Sequence, residues 1–518
     1  MPPSEQARPV LGIDLGTTYT CVAAIDRRGE VVLSNAEGES ITPSVVYFAD
    51  DGTALVGSAA VARRDQEPGR VVSLIKREMG RADVTVDAGG RRYHPQQVSA
   101  VILLKVVQDA LAHLGRAMPA TGPVADAVVA VPAYFGAAER KATAQAAQLA
   151  RLNLLDLVNE PVAAAVSHGL HQGGERTAMV YDLGGGTFDV TVIQVRPDGP
   201  AKVVAIEGDH RLGGADWDRQ LTELLLGRLN SAADSLRGDP KLMGGLVRQV
   251  EKLKIALTGA ERHTALITVP GGAEHVVTIT RDEYEEATAD LLGRTVELTR
   301  DALEKARPHG VEKIDDLLLS GGMSRTPAVA RRLAEELPEL PAARLAHDAD
   351  HTVAKGAARL AWQALGHDTT DEISTVTAKG YGVAVVRDAA RPALGHGVLW
   401  MIPPGADAPA VRRHEVCTIR DDQRRMAIRV YESATGFVHG DLADAPADHV
   451  SLVAGEITGL PAGLPKGAPV EICFELKADG VLRVHARAGN GASLRLDAEV
   501  AGAMTETEMS APLPGIHH

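Results

Sequence analysis

Val10-Leu-Gly-Ile-Asp-Leu-Gly-Thr-Thr18, followed by Tyr19-Thr-Cys-Val-Ala-Ala-Ile25, returns in related form at Met179-Val-Tyr-Asp-Leu-Gly-Gly-Gly-Thr187, followed by Phe188-Asp-Val-Thr-Val-Ile193. Each copy reads as an apolar strand ending in aspartate, a glycine-rich turn and a second apolar strand. This is a β-hairpin with Gly and Thr at its tip. The two aspartates, Asp14 and Asp182, lie 168 residues apart. That is one domain's length, so the pattern predicts a duplicated domain with one hairpin from each copy.

The residue types at the tips suit phosphate. Glycine lets backbone N–H groups converge on one point and lets an anion approach without a Cβ in the way. Thr17, Thr18 and Thr187 add hydroxyl donors, and a carboxylate ending each first strand can hold a hydrated magnesium ion. One such hairpin would be an ordinary glycine turn. Two copies of the same Asp-Leu-Gly step predict a pair of hairpins that clamp a polyphosphate and its metal from both sides.

The chain has 518 residues, 45% hydrophobic and 24% charged, an ordinary balance for two to four globular domains. Aromatics make up only 3%, so the core must rest on Val, Leu, Ile and Ala. A net charge of −14 argues against a general nucleic-acid binder. The three cysteines, Cys21, Cys417 and Cys473, are far apart, which suits a reducing compartment and gives no metal-ligand spacing. The N-terminus shows no apolar run of signal-peptide length, and no stretch is long and apolar enough to span a bilayer. The expectation is a cytoplasmic protein without a membrane span.

Short apolar strands and turns run to about Ala120, with a helix expected over 97–114. Val124–Val131 reads as a buried strand stopped by Pro132, 139–151 as a helix, and 162–169 as a helix with Pro161 in its first turn. After the second hairpin come a strand at 202–207, a glycine turn at 208–218, helices over 241–257 and 281–306, a strand and glycine turn at 316–325, and a helix over 350–364. The polar stretch 366–377 reads as a linker. Beyond it the helical patterns vanish. Arg425–Tyr431, Val470–Leu476 and Val481–Ala486 alternate with period two, the last two meeting across Asp479-Gly480, so an antiparallel β domain is expected.

Several motifs then carry a family resemblance. Gly12-Ile-Asp-Leu-Gly-Thr-Thr18, Val131-Pro-Ala-Tyr-Phe135, Asn159-Glu-Pro-Val-Ala-Ala-Ala165, Asp182-Leu-Gly-Gly-Gly-Thr-Phe-Asp189, Leu212-Gly-Gly-Ala-Asp216 and Ser320-Gly-Gly-Met-Ser-Arg325, in this order, resemble the DnaK-type, seventy-kilodalton heat-shock chaperones. The likeness is dense from 10 to about 365 and looser from 376 to 505. It implies a duplicated actin-like (ribonuclease H-like) α/β ATPase domain in two lobes over 1–365, a linker over 366–377, an antiparallel β-sandwich peptide-binding domain over 378–505, and a short tail at 506–518 where the family's helical lid would begin. The implied ligands are ATP or ADP with Mg2+.

Residue by residue, the resemblance puts Gly16, Thr17, Thr18 and Tyr19 in a first phosphate loop and Gly184, Gly185, Gly186 and Thr187 in a second. Gly213 and Gly214 match a further phosphate-side turn. Asp14 and Asp182 would face the hydrated magnesium, with Glu160 and Asp189 beside them. Lys76 matches a lysine that reaches the γ-phosphate. Lys76, Glu160, Asp182, Thr187 and Asp14 are therefore the implied catalytic set. Glu251, Lys254 and Thr258 share one face of a helix by their i, i+3, i+7 spacing. Alone that reads as a solvated face; with the resemblance it becomes an adenosine contact, completed by Gly321, Gly322, Arg325 and Asp350. Met323 stands where the family has a small hydroxyl residue. In the β domain the implied peptide cleft comprises Val383, Val385, Val386, Cys417, Met426 and Ile428, each of which reads equally well as sandwich core. Arg420, Arg424 and Arg425 fall in a loop beside it.

The resemblance implies client polypeptides as partners, together with a J-domain co-chaperone and a nucleotide exchange factor. Three departures qualify it. The family's leucine-rich linker is reduced to Asp371-Glu-Ile-Ser-Thr375, and each leucine not buried forgoes ~1.5–3 kcal/mol. Weak coupling between ATP and peptide is the expectation. Asp156 reverses the charge of an arginine that greets J-domains. Thr505–Met509 resembles the entry to the lid, with little chain after it. Two other classes stay open at this point: a nucleotide-gated interaction module with little hydrolysis, and a small-molecule kinase of the same fold.

Overall fold

The computed structural model describes residues 8–516 except 28, 65, 82, 170–173, 196–200, 230–231, 347, 368–372, 388–395, 434–438, 445–448, 459, 478–481, 489–492 and 497–502. The linker residues 368–372 and the Asp479-Gly480 turn thus lie outside the described residues.

The first hairpin pairs Val10–Leu15 with Tyr19–Asp26 antiparallel, and Val10–Leu15 also runs parallel to Ala125–Val131. The parallel series continues to Leu152–Asn159, while Gly29–Val32 closes the other side. All seven residues of Ala125–Val131 are buried, as a strand covered on both faces requires. The helices Pro95–His113 and Ala137–Leu149 cover one face, sharing a core with Leu11, Ile13, Val129 and Val131. The helix Thr352–Ala364 covers the other through Ala354, Ala357 and Ala358.

The second hairpin builds the same arrangement again. Arg176–Leu183 pairs antiparallel with Phe188–Val195 and parallel with Asp316–Ser320, which runs parallel to Ala343–Leu345. The duplication is therefore one of sheet topology as well as of motif. The two lobes meet where Glu160–Ser167 crosses Thr352–Ala364. A Cβ on Gly356 would stand 1.8 Å from the Ala163 carbonyl oxygen, so only glycine lets these helices touch.

Two local differences from the sequence reading have plain causes. The single helix expected over 281–306 is two, Arg281–Ala287 and Ala289–Ala306. They divide at Thr288, whose hydroxyl donates to the Tyr284 carbonyl at 2.8 Å. The hairpin Arg262–Thr268 and Glu274–Thr280 was not read from the sequence, because only one of its faces is apolar and that face is short. Among the described residues no helix is long and apolar enough to cross a membrane.

The C-terminal part is a two-layer sandwich. One sheet contains Gly380–Val386, His396–Ile402, Leu442–Ala443, Arg425–Ser433 and Val450–Thr458; the other contains Ala410–Cys417, Pro469–Leu476, Leu482–Ala488 and Ser493–Leu496. Val383, Met401, Ile428, Val430, Val470, Phe474 and Val484 fill the space between them.

The sandwich is docked on both lobes. Ile373–Val376, the described end of the linker, is a strand parallel to Ala201–Asp209 of the second lobe and antiparallel to Asp407–Ala408 of the sandwich. The second-lobe sheet therefore continues through the linker into the next domain, with Lys202 and Asp407 paired at 2.6 Å across the join. On the first lobe, the buried Glu432 carboxylate accepts from the Ala137 N–H at 3.3 Å and so caps the helix Ala137–Leu149. A Cβ on Gly136 would lie 2.5 Å from Glu432 Oε2. Ala137 and Ala138 belong to the sandwich's own apolar cluster. The sequence reading expected a poorly anchored linker because it counted leucines; the observed anchor is a backbone ladder.

Ser374 stands opposite Lys202 where the linker strand joins the second-lobe sheet, just before Thr375 and Val376 pair with Asp407–Ala408, and proline there would lack an N–H and disfavour the ladder. Ser374→Pro is expected to free the sandwich while leaving both lobes folded. Limited proteolysis at 366–377 checks this: cleavage no faster than in the parent protein would show that the ladder does not hold the domains together.

Candidate functional site

The two hairpin tips meet tightly between the lobes. A Cβ on Gly185 would lie 2.0 Å from Thr18 Oγ1, and one on Gly186 would lie 2.2 Å from Thr17 Cγ2. One on Gly16 would strike the Tyr19 carbonyl at 2.0 Å, and one on Gly213 would fall 2.5 Å from the Gly186 backbone. Glycine at these positions is a packing requirement. Thr17 Oγ1 is buried with no hydrogen-bond partner. Thr187 is buried beside it at the second tip.

Beneath the tips lies a concentration of buried charge. Lys76, 6% exposed, forms an ion pair with Glu160, the first residue of Glu160–Ser167. Burial pushes the Asp14 carboxyl up to about 8; the Glu160 charge adds to this and Lys76 opposes it. Asp182 is pushed up to about 7, again by burial and then by Glu160. Burial raises Asp189 well above the carboxylate range, although its Oδ1 accepts from the Ala133 N–H at 2.9 Å. The Lys76 ammonium also stands 6.0 Å from the centre of the Phe135 ring.

These residues fit a magnesium–polyphosphate group. Several carboxylates share one ammonium in a buried space, so a further cation lowers the cost of ionising them. The orphaned Thr17 hydroxyl and the glycine-lined turns supply donors for phosphate oxygens.

Of the remaining predicted positions, Tyr19 lies at the cleft mouth and its hydroxyl donates to Glu251 at 3.2 Å, joining the lobes. Lys254 donates to Asp218 at 2.9 Å and to the Gly214 carbonyl at 3.3 Å, so it faces the third glycine turn. The Thr258 hydroxyl is satisfied within its own helix. Gly321 has φ of +81°, and a Cβ there would lie 2.5 Å from Asp182 Oδ1. Gly322 stands near Asp350, which pairs with Arg325 at 2.9 Å on the exposed rim. Met323 is buried in the second-lobe core, with its Cγ 3.2 Å from where a Gly214 Cβ would be.

The six cleft positions of the sandwich divide. Val383 and Ile428 are each 1% exposed and belong to the sandwich core. Val385, Val386 and Met426 are half-buried, and Cys417 is exposed.

Two residues at the centre were not picked out from the sequence. Arg77 donates to the Gly186 carbonyl at 2.8 Å and pairs with Asp216, both side chains buried. Asp216 in turn accepts from the Gly213 N–H at 3.0 Å. Arg77 thus holds two glycine turns of the second lobe from the first. The signal was present: Asp216 stands three residues after Gly213 at the start of a helix, a capping-box spacing, and Arg77 follows Lys76 directly.

A family model described as Hsp70 protein matches residues 10–88 and 81–509 of this chain. The chain belongs to the Hsp70 family. That places this Hsp70 among heat-shock chaperones, a family whose members are generally ATPases that use ATP or ADP with magnesium.

In the nucleotide- and metal-free protein the native state keeps protons on Asp14 and Asp182 that the unfolded chain releases near the usual 3.8. Folding stability from these groups is therefore full below about pH 4, is lost progressively as pH rises above it, and levels off above about 7 for Asp182 and about 8 for Asp14. In chelator, the melting temperature is expected to drop between about pH 6 and about pH 8. Asp14→Asn should flatten that slope and raise the midpoint at the upper end by about 2–4 °C. An unchanged slope in Asp14→Asn would show that this carboxyl is not the proton-retaining group.

Proposed function

We propose that this Hsp70 is an ATP-driven chaperone: it binds and hydrolyses ATP in the inter-lobe cleft and binds exposed peptide segments of client proteins through its β-sandwich. The observation that carries the reading is Lys76, a buried ammonium beside Asp14, Asp182 and Glu160, directly under two interlocked glycine tips. Magnesium, when bound with the nucleotide, supplies positive charge to the ionised carboxylates and the phosphate oxygens. The residues of the chain do the rest. Backbone amides of Gly185, Gly186 and Thr187, with the hydroxyls of Thr17, Thr18 and Thr187, hold the phosphate chain, while the Gly184, Gly213 and Gly214 amides brace the turns by donating to the Thr187 carbonyl, Asp216 and the Gly184 carbonyl. Glu251, Lys254, Thr258, Gly321, Gly322, Arg325 and Asp350 border the adenosine side. Glu160 and Asp189 orient a water for in-line attack, and Lys76 faces the charge that builds on the transferring group. Val385, Val386, Met426 and Cys417 offer partly open apolar surface for a peptide, with Val383 and Ile428 supporting it from the core.

Lys76→Ala is expected to keep nucleotide binding and to slow hydrolysis by a factor of roughly 10²–10³, the usual effect of losing one transition-state charge contact. Single-turnover phosphate release measures it. A rate within threefold of the parent would remove Lys76 from the chemistry, and no release by the parent itself would favour a nucleotide-gated module without turnover.

Partner choice follows from charge. Asp156 sits half-exposed on the edge strand Leu152–Asn159, where the acid that a J-domain carries next to its recognition histidine would meet a like charge, so weak J-domain stimulation is part of the proposal.

The docked arrangement supplies coupling contacts that the sequence reading did not weigh. Glu432 caps a helix whose preceding turn gives the Ala133 N–H to Asp189 and the Phe135 ring to Lys76. We therefore propose that ATP and peptide report on each other through this helix. Glu432→Ala leaves the helix end uncapped and Lys379 without its buried partner, at a cost of ~1–3 kcal/mol to docking. The ratio of fluorescent-peptide release rates in ATP and ADP should fall toward one in this variant; an unaltered ratio would rule out this route.

A further inference from the structure

After the sandwich, the chain returns to the first lobe and lies along it. Met504 exchanges two hydrogen bonds with the Gln145 side chain: its N–H donates to Oε1 at 2.8 Å and its carbonyl accepts from Nε2 at 2.7 Å. Both residues are buried. One helical turn, Glu506–Met509, follows with a Thr505/Glu508 capping box, and Glu508 pairs with His94 at 3.2 Å. Leu513 and Ile516 then pack against the core of the first lobe, and Pro514 is buried. Finally Gly515–Ile516 runs parallel to the edge strand Thr53–Val56, with Gly515 opposite Thr53 and Ile516 opposite Ala54. A cavity of about 360 Å³ lies under this path, lined in part by Leu104, Leu149, Arg151, Met509 and Leu513. Residues 510–516 lie beyond the stretch that matches the family.

We infer that this groove on the first lobe is a docking site for an extended apolar segment, and that its occupant is the molecule's own residues 503–516, acting as a latch. The chemistry of the groove fits such a segment. An amide side chain presents a donor and an acceptor to one backbone unit, an open strand edge accepts another strand, and apolar core lies between them. The segment supplies the matching features in the right order. The latch is tied to the sandwich by the few residues between Leu496 and Ala503. The linker strand binds the sandwich to the second lobe, and the latch binds it to the first, each by adding a strand to a sheet edge. The sandwich therefore bridges the two lobes, and it can leave the first lobe only when the latch peels away. Two paired residues and a few apolar anchors make peeling a local event below global unfolding.

The test uses the full chain. Hydrogen exchange of residues 503–516 is compared with that of a synthetic peptide of the same sequence, and solution scattering reads the overall dimensions. In the parent protein the segment should exchange at least about tenfold more slowly than the peptide. The variant Leu513→Asp/Ile516→Asp should exchange at the peptide rate and increase the radius of gyration. Gln145→Ala, altered on the other side of the contact, should show the same change in weaker form. Exchange at the peptide rate in the parent protein would overturn the proposal. So would unchanged dimensions in the double variant, or protection that appears only in a concentration-dependent dimer, where the segment would belong to a second copy.

Discussion

The structure depends on a charge imbalance held out of water. Asp14, Asp182, Asp189 and Glu160 share one buried ammonium, Lys76, at the junction of two lobes. Such a group is stable with its carboxyls partly protonated, or with a further cation beside it. The fold is arranged to keep that choice open. The two lobes bring carboxylates from opposite sides, the glycine tips close over them with donors for an anion, and Arg77 fixes the tips from across the cleft. A cleft of this kind can be balanced by a further cation, and the charge pattern fits the magnesium and nucleotide that members of the family generally use.

The contact between the lobes is close-packed. Gly356 against Ala163 leaves no space for a side chain, so the crossing helices cannot separate slightly without losing their packing. The linker strand extends the second lobe's central sheet, and Gly515–Ile516 adds to a smaller sheet of the first lobe through Thr53–Val56.

Much of this was legible in the sequence because it depends on residue types with few physical uses. Repeated Asp-Leu-Gly steps located both tips, and the wholly apolar run ending at Val131 located a strand buried on both faces. The Asp14–Asp182 proximity followed from duplication, and Lys76 and Glu160 required the family resemblance. What escaped the sequence was carried by backbone or by geometry. The linker's register uses N–H and C=O groups that every residue has. The break at Thr288 depends on one hydroxyl turning back on its helix. The Glu432 cap joins residues 295 positions apart, and no local pattern announces such a contact. The assignment of Val383 and Ile428 to the sandwich core rather than an open cleft depends on which face of each strand meets the second sheet, a choice that alternation leaves undecided.

The linker strand has a consequence for how this chain can vary. A ladder of backbone groups reads conformation and not side-chain identity, so substitution along Ile373–Val376 is constrained mainly by the exclusion of proline and by the ability to stay extended. Hydrophobicity there becomes a free variable. A chain can then drift far from a leucine-rich linker while its domains stay joined, and the pressure that would have preserved those leucines moves to the partner edges, Ala201–Asp209 and Asp407–Ala408, whose exposed ladders must remain long enough and straight enough to receive it.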